Sequence, residues 1–196
     1  MSHYYCQDQQ SPPLDIEIPL SFAGESFCFK SSSGVFSKRQ ADQGSLVLLR
    51  CLVGQELSGE LLDVGCGYGL LGIVIKRCFP ALQVAMIDIN ERAVELAAYN
   101  VESHRVECRV WGSDGYQAVT ACYDHIITNP PIRAGKAVVY RILGEAYDHL
   151  NSGGDCYAVI RKKQGALSAL KYMATVYRQV AVIKRERGYY VLRGQK

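Results

Sequence analysis

The sequence predicts an α/β protein built on a seven-stranded, mostly parallel sheet whose last strand runs antiparallel. Three observations lead there. From Glu60 onward, short apolar runs rich in β-branched residues alternate with helical stretches of about a dozen residues, and parallel neighbours need such crossovers because each joining helix must cover a sheet face. The first of these runs leads straight into a loop of three alternating glycines, Gly65, Gly67 and Gly69. The last two runs are separated only by Glu186, Arg187 and Gly188, too short a link for a crossover, so the final strand pairs antiparallel.

Element by element, Ile16 to Leu20 and Ser26 to Lys30 alternate apolar and polar residues about an Ala23-Gly24 turn, a small N-terminal hairpin. Asp42 is placed to cap an apolar helix through Leu46, Leu49 and Leu52. Seven strands are then expected at Leu61 to Val64, Val84 to Ile89, Val106 to Val110, Tyr123 to Thr128, Cys156 to Ile160, Val180 to Arg185 and Tyr189 to Leu192. The intervening helices are expected at Leu70 to Cys78, Glu91 to Val101, Lys136 to Leu150 and Ala166 to Tyr177. With 196 residues the chain reads as a single domain, residues 1–32 forming an N-terminal hairpin extension and 33–196 a catalytic core.

Composition excludes several classes. At 48% apolar and 21% charged residues the chain is neither disordered nor collagenous. No apolar stretch approaches the roughly 17–25 residues of a bilayer span, and Asp8, Asp15 and Glu17 speak against a leader peptide, so a cytoplasmic protein is expected. The eight cysteines form no C-x-x-C pair and are read as small core residues, not as a metal site or a disulfide framework. Net charge is only +3, yet Arg161 to Lys196 carries ten basic residues against one acid, Glu186. That asymmetry fits either a polyanion-facing surface or a solvated basic face.

Chemistry concentrates in three segments. In Asp63-Val64-Gly65-Cys66-Gly67-Tyr68-Gly69 the glycines permit a tight turn and close approach of a ligand to the main chain before a helix N-terminus. The spacing is G-x-G-x-G, not the G-x-G-x-x-G of a pyrophosphate cradle, and Asp63 would repel phosphate but suit an ammonium or sulfonium. This disfavours a nicotinamide-dependent oxidoreductase and points to a cationic adenosine cofactor. Asp88 closes the second strand 19 residues after Gly69, where a carboxylate can accept from both ribose hydroxyls. Ser113 and Asp114 follow the third strand and can either meet an adenine edge or cap a helix. The fourth strand ends in Asn129-Pro130-Pro131-Ile132. Its prolines remove two backbone donors and stiffen the loop, leaving the Asn129 amide and nearby carbonyls as acceptors suited to a planar, conjugated NH2 group.

Taken together, these residues resemble the class I S-adenosylmethionine-dependent methyltransferases, with Asp63 to Gly69 as the cofactor loop and Asn129-Pro130-Pro131-Ile132 as the amino-methylating motif. Gly34-Val35-Phe36-Ser37, Asp42-x-Gly44-Ser45 and Leu150-Asn151-Ser152-Gly153-Gly154 bring the likeness nearest to the small-domain methyltransferases of the ribosomal RNA small-subunit methyltransferase C type, guanine-N2 enzymes. The likeness covers residues 33–196. It implies a Rossmann-like core and S-adenosyl-L-methionine as cofactor, held by Asp63, Gly65, Cys66, Gly67, Tyr68, Gly69, Asp88, Ile89, Ser113, Asp114 and Asn129. It implies a catalytic segment of Asn129, Pro130, Pro131 and Ile132 and no metal, with ribosomal RNA or the small ribosomal subunit as partner.

RNA contact would come from Phe36, Lys38, Arg133, Lys162 and Lys163, because no counterpart of the larger relatives' additional N-terminal domain is expected within these 196 residues. Ile132 stands where that family often has an aromatic residue to stack on the target base. Methylation of adenine N6 or of a protein amide, and a non-catalytic adenosine-binding assembly factor, therefore stand as alternatives.

Overall fold

The computed structural model describes residues 15–32 and 40–196. Phe36 and Lys38, and the Gly34 to Ser37 motif, lie outside the described residues.

Strands β1 (Asp15–Phe22) and β2 (Glu25–Ser32) form the expected hairpin, a separate two-stranded sheet. Ala23 and Gly24 turn it with φ of 50° and 81°, both left-handed as a two-residue hairpin requires. Helix α1 (Gln43–Leu52) follows, and Asp42 caps it as expected, its Oδ2 accepting from the Ser45 N–H at 2.9 Å. The core then runs β3 (Glu60–Val64), α2 (Leu70–Cys78), β4 (Gln83–Asp88), α3 (Glu91–Ser103), β5 (Cys108–Gly112), β6 (Tyr123–Thr128), α4 (Lys136–Glu145), β7 (Leu150–Arg161), α5 (Ala166–Met173), β8 (Gln179–Glu186) and β9 (Tyr189–Gln195). These seven strands lie in the order β5-β4-β3-β6-β7-β9-β8. From β3 to β7 every pairing is parallel, and β9 enters antiparallel between β7 and β8.

Helices α1, α2 and α3 cover one face of the sheet, where Leu48, Ile73 and Ala97 are buried with Leu61 and Met86. On the other face α4 and α5 bury Ile142, Leu143, Ala169 and Met173 against Leu62, Ile126 and Ala158. Because both faces are covered, the central strands read as continuous apolar runs.

Three boundaries differ from expectation by four residues or more. Helix α4 ends at Glu145, five residues early, because Gly144 to Leu150 closes in successive tight turns, among them Tyr147 N–H to Gly144 O and Leu150 N–H to Tyr147 O. Strand β7 starts at Leu150 rather than Cys156, so the Asn151 to Gly154 stretch is strand. There Gly154 passes so near the Asp124 carbonyl that a Cβ would stand 2.9 Å from it. Helix α5 stops at Met173, and Tyr177 beyond it buries its ring and donates to the Leu143 carbonyl at 2.7 Å.

The cysteines divide. Cys51, Cys66 and Cys156 are buried as expected, whereas Cys28 and Cys122 are exposed. The alternation that buries Phe27 and Phe29 turns Cys28 outward. No helix of the described residues is long and apolar enough to cross a membrane.

The hairpin docks on α3 through a residue that carried no sequence signal. Asn100 is fully buried; its Oδ1 accepts from Lys30 N–H, and its Nδ2 donates to the Lys30 and Tyr68 carbonyls, each at 2.8 Å. One amide thus joins the hairpin, α3 and the glycine loop. Asn100→Ala removes three buried hydrogen bonds and is expected to cost about 3 kcal/mol. Calorimetry should show a melting temperature lower by about 6–12 °C, and an unchanged one would mean that the clip contributes nothing to stability.

Candidate active site at the carboxyl edge of the sheet

All the parallel strands end at one sheet edge, and strand order reverses between β3 and β6. Such a switch point leaves a crevice beyond the strand ends. The glycine loop after β3, Asp88 at the end of β4, Ser113 after β5 and Asn129 after β6 all stand on its rim.

The loop is held by its own amide hydrogens. Gly65 and Cys66 donate to the Ile87 carbonyl at 2.9 and 3.0 Å, and Gly67 donates to Asp88 Oδ2 at 2.8 Å. Gly65, Gly67 and Gly69 have φ of 74°, 58° and 89°, values that side chains with a Cβ rarely adopt. A Cβ at Gly65 would meet nothing within 4 Å, so the main chain there faces open space where a ligand can lie. At Gly69 a Cβ would press on Ala97 and Ile73 at 3.3 and 3.1 Å; that glycine serves helix packing.

Asp63 is fully buried beneath the loop. Its Oδ2 accepts from Gly72 N–H at 3.2 Å, which caps α2 from the neighbouring strand, because Gly69 at the helix N-cap has no side chain to do so. Its Oδ1 has no partner among the described residues. Burial, with a smaller push from the Asp88 charge, lifts the Asp63 carboxyl to about 8. The orphaned oxygen is what a cationic ligand over the loop would satisfy, directly or through water, so the donor set fits the cofactor named by the resemblance.

Asp88 is half-buried, and burial raises its carboxyl while the N–H groups of Asn90, Gly67 and Ile89 oppose the rise. Ile89 is 38% exposed, an aliphatic surface beside that carboxylate able to pack on a heterocycle. Cys66 is buried with its thiol pushed up by burial and by both carboxylates, so it is a neutral packing group. The Tyr68 ring is buried against Phe29 at 5.6 Å, so it is the main chain of this loop residue that can face the crevice.

Ser113 and Asp114 begin no helix. Ser113 Oγ donates to Gly115 O at 2.8 Å and accepts from Ala118 N–H at 3.1 Å, while Asp114 is ion-paired with Arg141 of α4. Both side chains are engaged in shaping the loop after β5.

At the fourth strand end, Thr128 Oγ1 donates to the Val64 carbonyl at 2.8 Å and ties β6 to the base of the glycine loop. Asn129 Nδ2 donates to Asp42 Oδ2 at 2.7 Å and to Ser45 Oγ at 3.0 Å. Its Oδ1 and the Pro130 carbonyl carry no hydrogen bond from the described residues. The Pro131 carbonyl, expected to be free, accepts from Ala134 N–H at 2.9 Å, because Ile132–Ala134 forms a 3-10 turn. Asn129 Oδ1 and the Pro130 carbonyl remain as acceptors. Ile132 is half-buried against α4, and Arg133 is exposed.

The basic tail is split by the fold. Lys162 and Lys163 are exposed in a 3-10 turn directly after β7, the neighbour of β6, on the same edge as Asn129. Arg161 and Arg185 lie over the Tyr189 and Tyr190 rings at 5.5 and 5.3 Å. Arg193 is instead paired with Asp155, midway along β7, at 2.7 Å, and Lys196 donates to the Leu150 carbonyl at its start at 2.8 Å. Charge counting cannot make this separation. Among the described residues no three His, Cys, Asp or Glu side chains are grouped to hold a metal ion.

A parallel sheet with its switch point beside a G-x-G-x-G loop, a ribose-type acid and an Asn-Pro-Pro turn defines the Rossmann-like methyltransferase class. The chain belongs to the methyltransferase small domain family, whose model matches residues 26–193. It is 38% identical over 197 residues to the Bacillus subtilis (strain 168) protein YbxB, covering 99% of this chain and 98% of that one. It is also 34% identical over 157 residues to ribosomal RNA small subunit methyltransferase C of Vibrio cholerae, covering 78% of this chain and 44% of that one. Among solved structures it is similar to the T. thermophilus 16S rRNA N2 G1207 methyltransferase (RsmC), determined with AdoMet and guanosine. That match has a TM-score of 0.84 at 26% identity, over 94% of this chain and 51% of that one. The chain thus spans about half the length of the methyltransferase C relatives it matches.

The elevated Asp63 carboxyl has a measurable sign in the cofactor-free protein. Below pH 4 the group is protonated in both folded and unfolded chains. Between about 4 and about 8 the unfolded chain has released the proton and the folded one has not, so stability falls as pH rises. Asp63→Asn removes that titration. Urea unfolding should find the variant gaining on wild type from pH 5 to pH 8.5, by on the order of a few kcal/mol; a constant difference would refute the buried, elevated carboxyl.

Proposed function

We propose that this chain methylates an exocyclic amine of RNA, the N2 amine of guanine in ribosomal RNA, with S-adenosyl-L-methionine as donor. The observation that carries the reading is the Asn129 amide: its NH2 is engaged behind the site and its Oδ1 remains an acceptor, on the crevice rim shared with the glycine loop and Asp88. The names of the methyltransferase C relatives support the choice of ribosomal RNA.

The bound cofactor would supply an already activated sulfonium methyl, so the protein's task is alignment. Gly65 and Gly67 give the main-chain bed, Asp88 accepts from the ribose, Ile89 packs on the adenine, and Asp63 lies under the cationic end. Asn129 Oδ1 and the Pro130 carbonyl would accept hydrogen bonds from the two amine N–H groups, holding the nitrogen lone pair toward the methyl and raising electron density on nitrogen. The N–CH3 bond would replace the S–CH3 bond, leaving the thioether, and the surplus proton on nitrogen would leave to water. Such positioning contributes on the order of 7–11 kcal/mol, more than the roughly 10²- to 10⁴-fold of a general base. Ile132 would pack on the target base by aliphatic contact, and a base inside a duplex must be flipped or presented single-stranded. Hairpin and sheet core would act as one domain in the cytoplasm, where ribosomes are assembled.

Transfer of labelled methyl to unmodified ribosomal RNA and subunits, with DNA and protein as parallel acceptors, tests this, followed by nucleoside analysis. N2-methylguanosine is expected. Label in adenine or protein would overturn the substrate, and cofactor binding without transfer would favour an assembly factor. In the same assay Asn129→Ala should lower turnover by about 10²-fold or more with cofactor affinity intact, while Asp88→Ala should weaken cofactor binding by about 1.5–3 kcal/mol; the reverse pattern would overturn both assignments.

The basic groups on the same edge are the expected phosphate contacts. Changing Arg133, Lys136, Lys162 and Lys163 together to Gln should weaken RNA binding and reduce the slope of log affinity against log salt by about 3, at roughly 0.7 per contact on a single strand. An unaltered slope would return these residues to the solvated surface.

A further inference from the structure

The amide of Asn129 is clamped by Asp42 and Ser45, of the segment that starts α1. The two N–H bonds of Nδ2 are both used, one toward Asp42 Oδ2 at 2.7 Å and one toward Ser45 Oγ at 3.0 Å. An asparagine amide can otherwise turn over and exchange its oxygen for its nitrogen. A carboxylate forbids that exchange, because it only accepts and would face the amide oxygen unpaired. Asp42 is itself fixed: the same Oδ2 takes the Ser45 N–H at 2.9 Å as the N-cap of α1. Gly44 makes the closure possible, since a Cβ there would stand 2.9 Å from Asp42 Oδ2 and 3.1 Å from the Tyr189 ring. The Asp42-x-Gly44-Ser45 stretch is therefore both a helix start and a receptor for one side chain 84 residues further along the chain.

We infer that Asp42 and Ser45 are positioning residues that fix the Asn129 amide with its oxygen outward, and so determine that the site takes a hydrogen-donating amine and not a carbonyl. The negative charge behind the NH2 group also draws amide electron density toward Oδ1, making it a stronger acceptor for the amine protons. This inference rests on the methyl-transfer reading of the site, but its first test does not require that reading.

That test observes the side-chain amide resonances of the nitrogen-15-labelled chain, the Asn129 pair being assigned by its absence from Asn129→Ala. In wild type the pair should be displaced from the solvent-exposed amides and protected from hydrogen exchange. Ser45→Ala keeps the backbone N–H that Asp42 caps, and Asp42→Ser keeps a capping hydroxyl too short to reach Asn129; both should fold, with melting temperatures lowered by no more than about 3–6 °C. In both, exchange of the Asn129 pair should accelerate by about tenfold or more, one lost hydrogen bond being worth roughly 1.4 kcal/mol. Unchanged resonances in both variants would overturn the inference.

The second test is kinetic, on the acceptor found by nucleoside analysis. Asp42→Ser should lower kcat by roughly 10²-fold, the scale of a misplaced reacting group, with cofactor affinity and acceptor KM within about threefold of wild type. Asp42→Asn, which keeps an acceptor oxygen without the charge, should recover part of the loss. Asp42→Ser should slow Asn129→Ala no further, since residues acting as one unit are non-additive. Additive losses, or an equal fall in cofactor binding, would reduce Asp42 to a helix cap and overturn the inference. Amide signals that respond as expected, with no methyl transferred to any acceptor, would uphold the clamp and refute the proposed function.

Discussion

The site depends on how the chain leaves β3. Between Val64 and α2 the backbone quits the sheet with its amide hydrogens turned inward, and every buried donor there must find an acceptor that is not a ladder partner. The Ile87 carbonyl takes two of them, Asp88 takes the Gly67 N–H, and Asp63 takes the Gly72 N–H. Two carboxylates at the ends of adjacent strands thus shape the loop before any ligand arrives. The arrangement costs Asp63 its solvation, which is why its carboxyl is lifted so far and why one of its oxygens stands unpaired.

Three further polar links carry that geometry outward. Thr128 ties β6 to the Val64 carbonyl, Asn100 ties the hairpin to Tyr68, and Asp42 with Ser45 ties the start of α1 to Asn129. Each is a side chain reaching between segments distant in sequence to hydrogen-bond groups there. A single interior network therefore positions the loop, the fourth strand end and the first helix relative to one another. The hairpin, which contributes no strand to the main sheet, is joined to it through the same network.

The charged surface divides by the same topology. A strand inserted antiparallel between β7 and β8 sends the end of the chain back toward the start of β7. Arg193 and Lys196 are consumed by Asp155, midway along β7, and by the Leu150 carbonyl at its start, while Lys162 and Lys163 are left free to face solvent on the crevice edge. Arginines over Tyr189 and Tyr190 add flat aromatic and cationic surface near that edge.

The sequence by itself determined the strand and helix order, the parallel sheet with its antiparallel ending, the glycine loop, the acid after β4 and the Asn-Pro-Pro turn. These follow from periodicity, turn chemistry and short-range spacing, which are local properties. Boundaries went astray where close packing overrode pattern, as at Gly154 beside the Asp124 carbonyl and in the tight turns that end α4. Only the tertiary structure decided that Tyr68 turns its ring into the core, that the Pro131 carbonyl is consumed by its own 3-10 turn, and that Asp114 pairs with Arg141. It alone decided that Asp42 and Ser45 hold Asn129 and that Asn100 holds the hairpin. The reason is physical: a hydrogen bond between residues 70 or 84 positions apart leaves no periodicity in the chain, and exists only because the sheet brings the two ends within 3 Å.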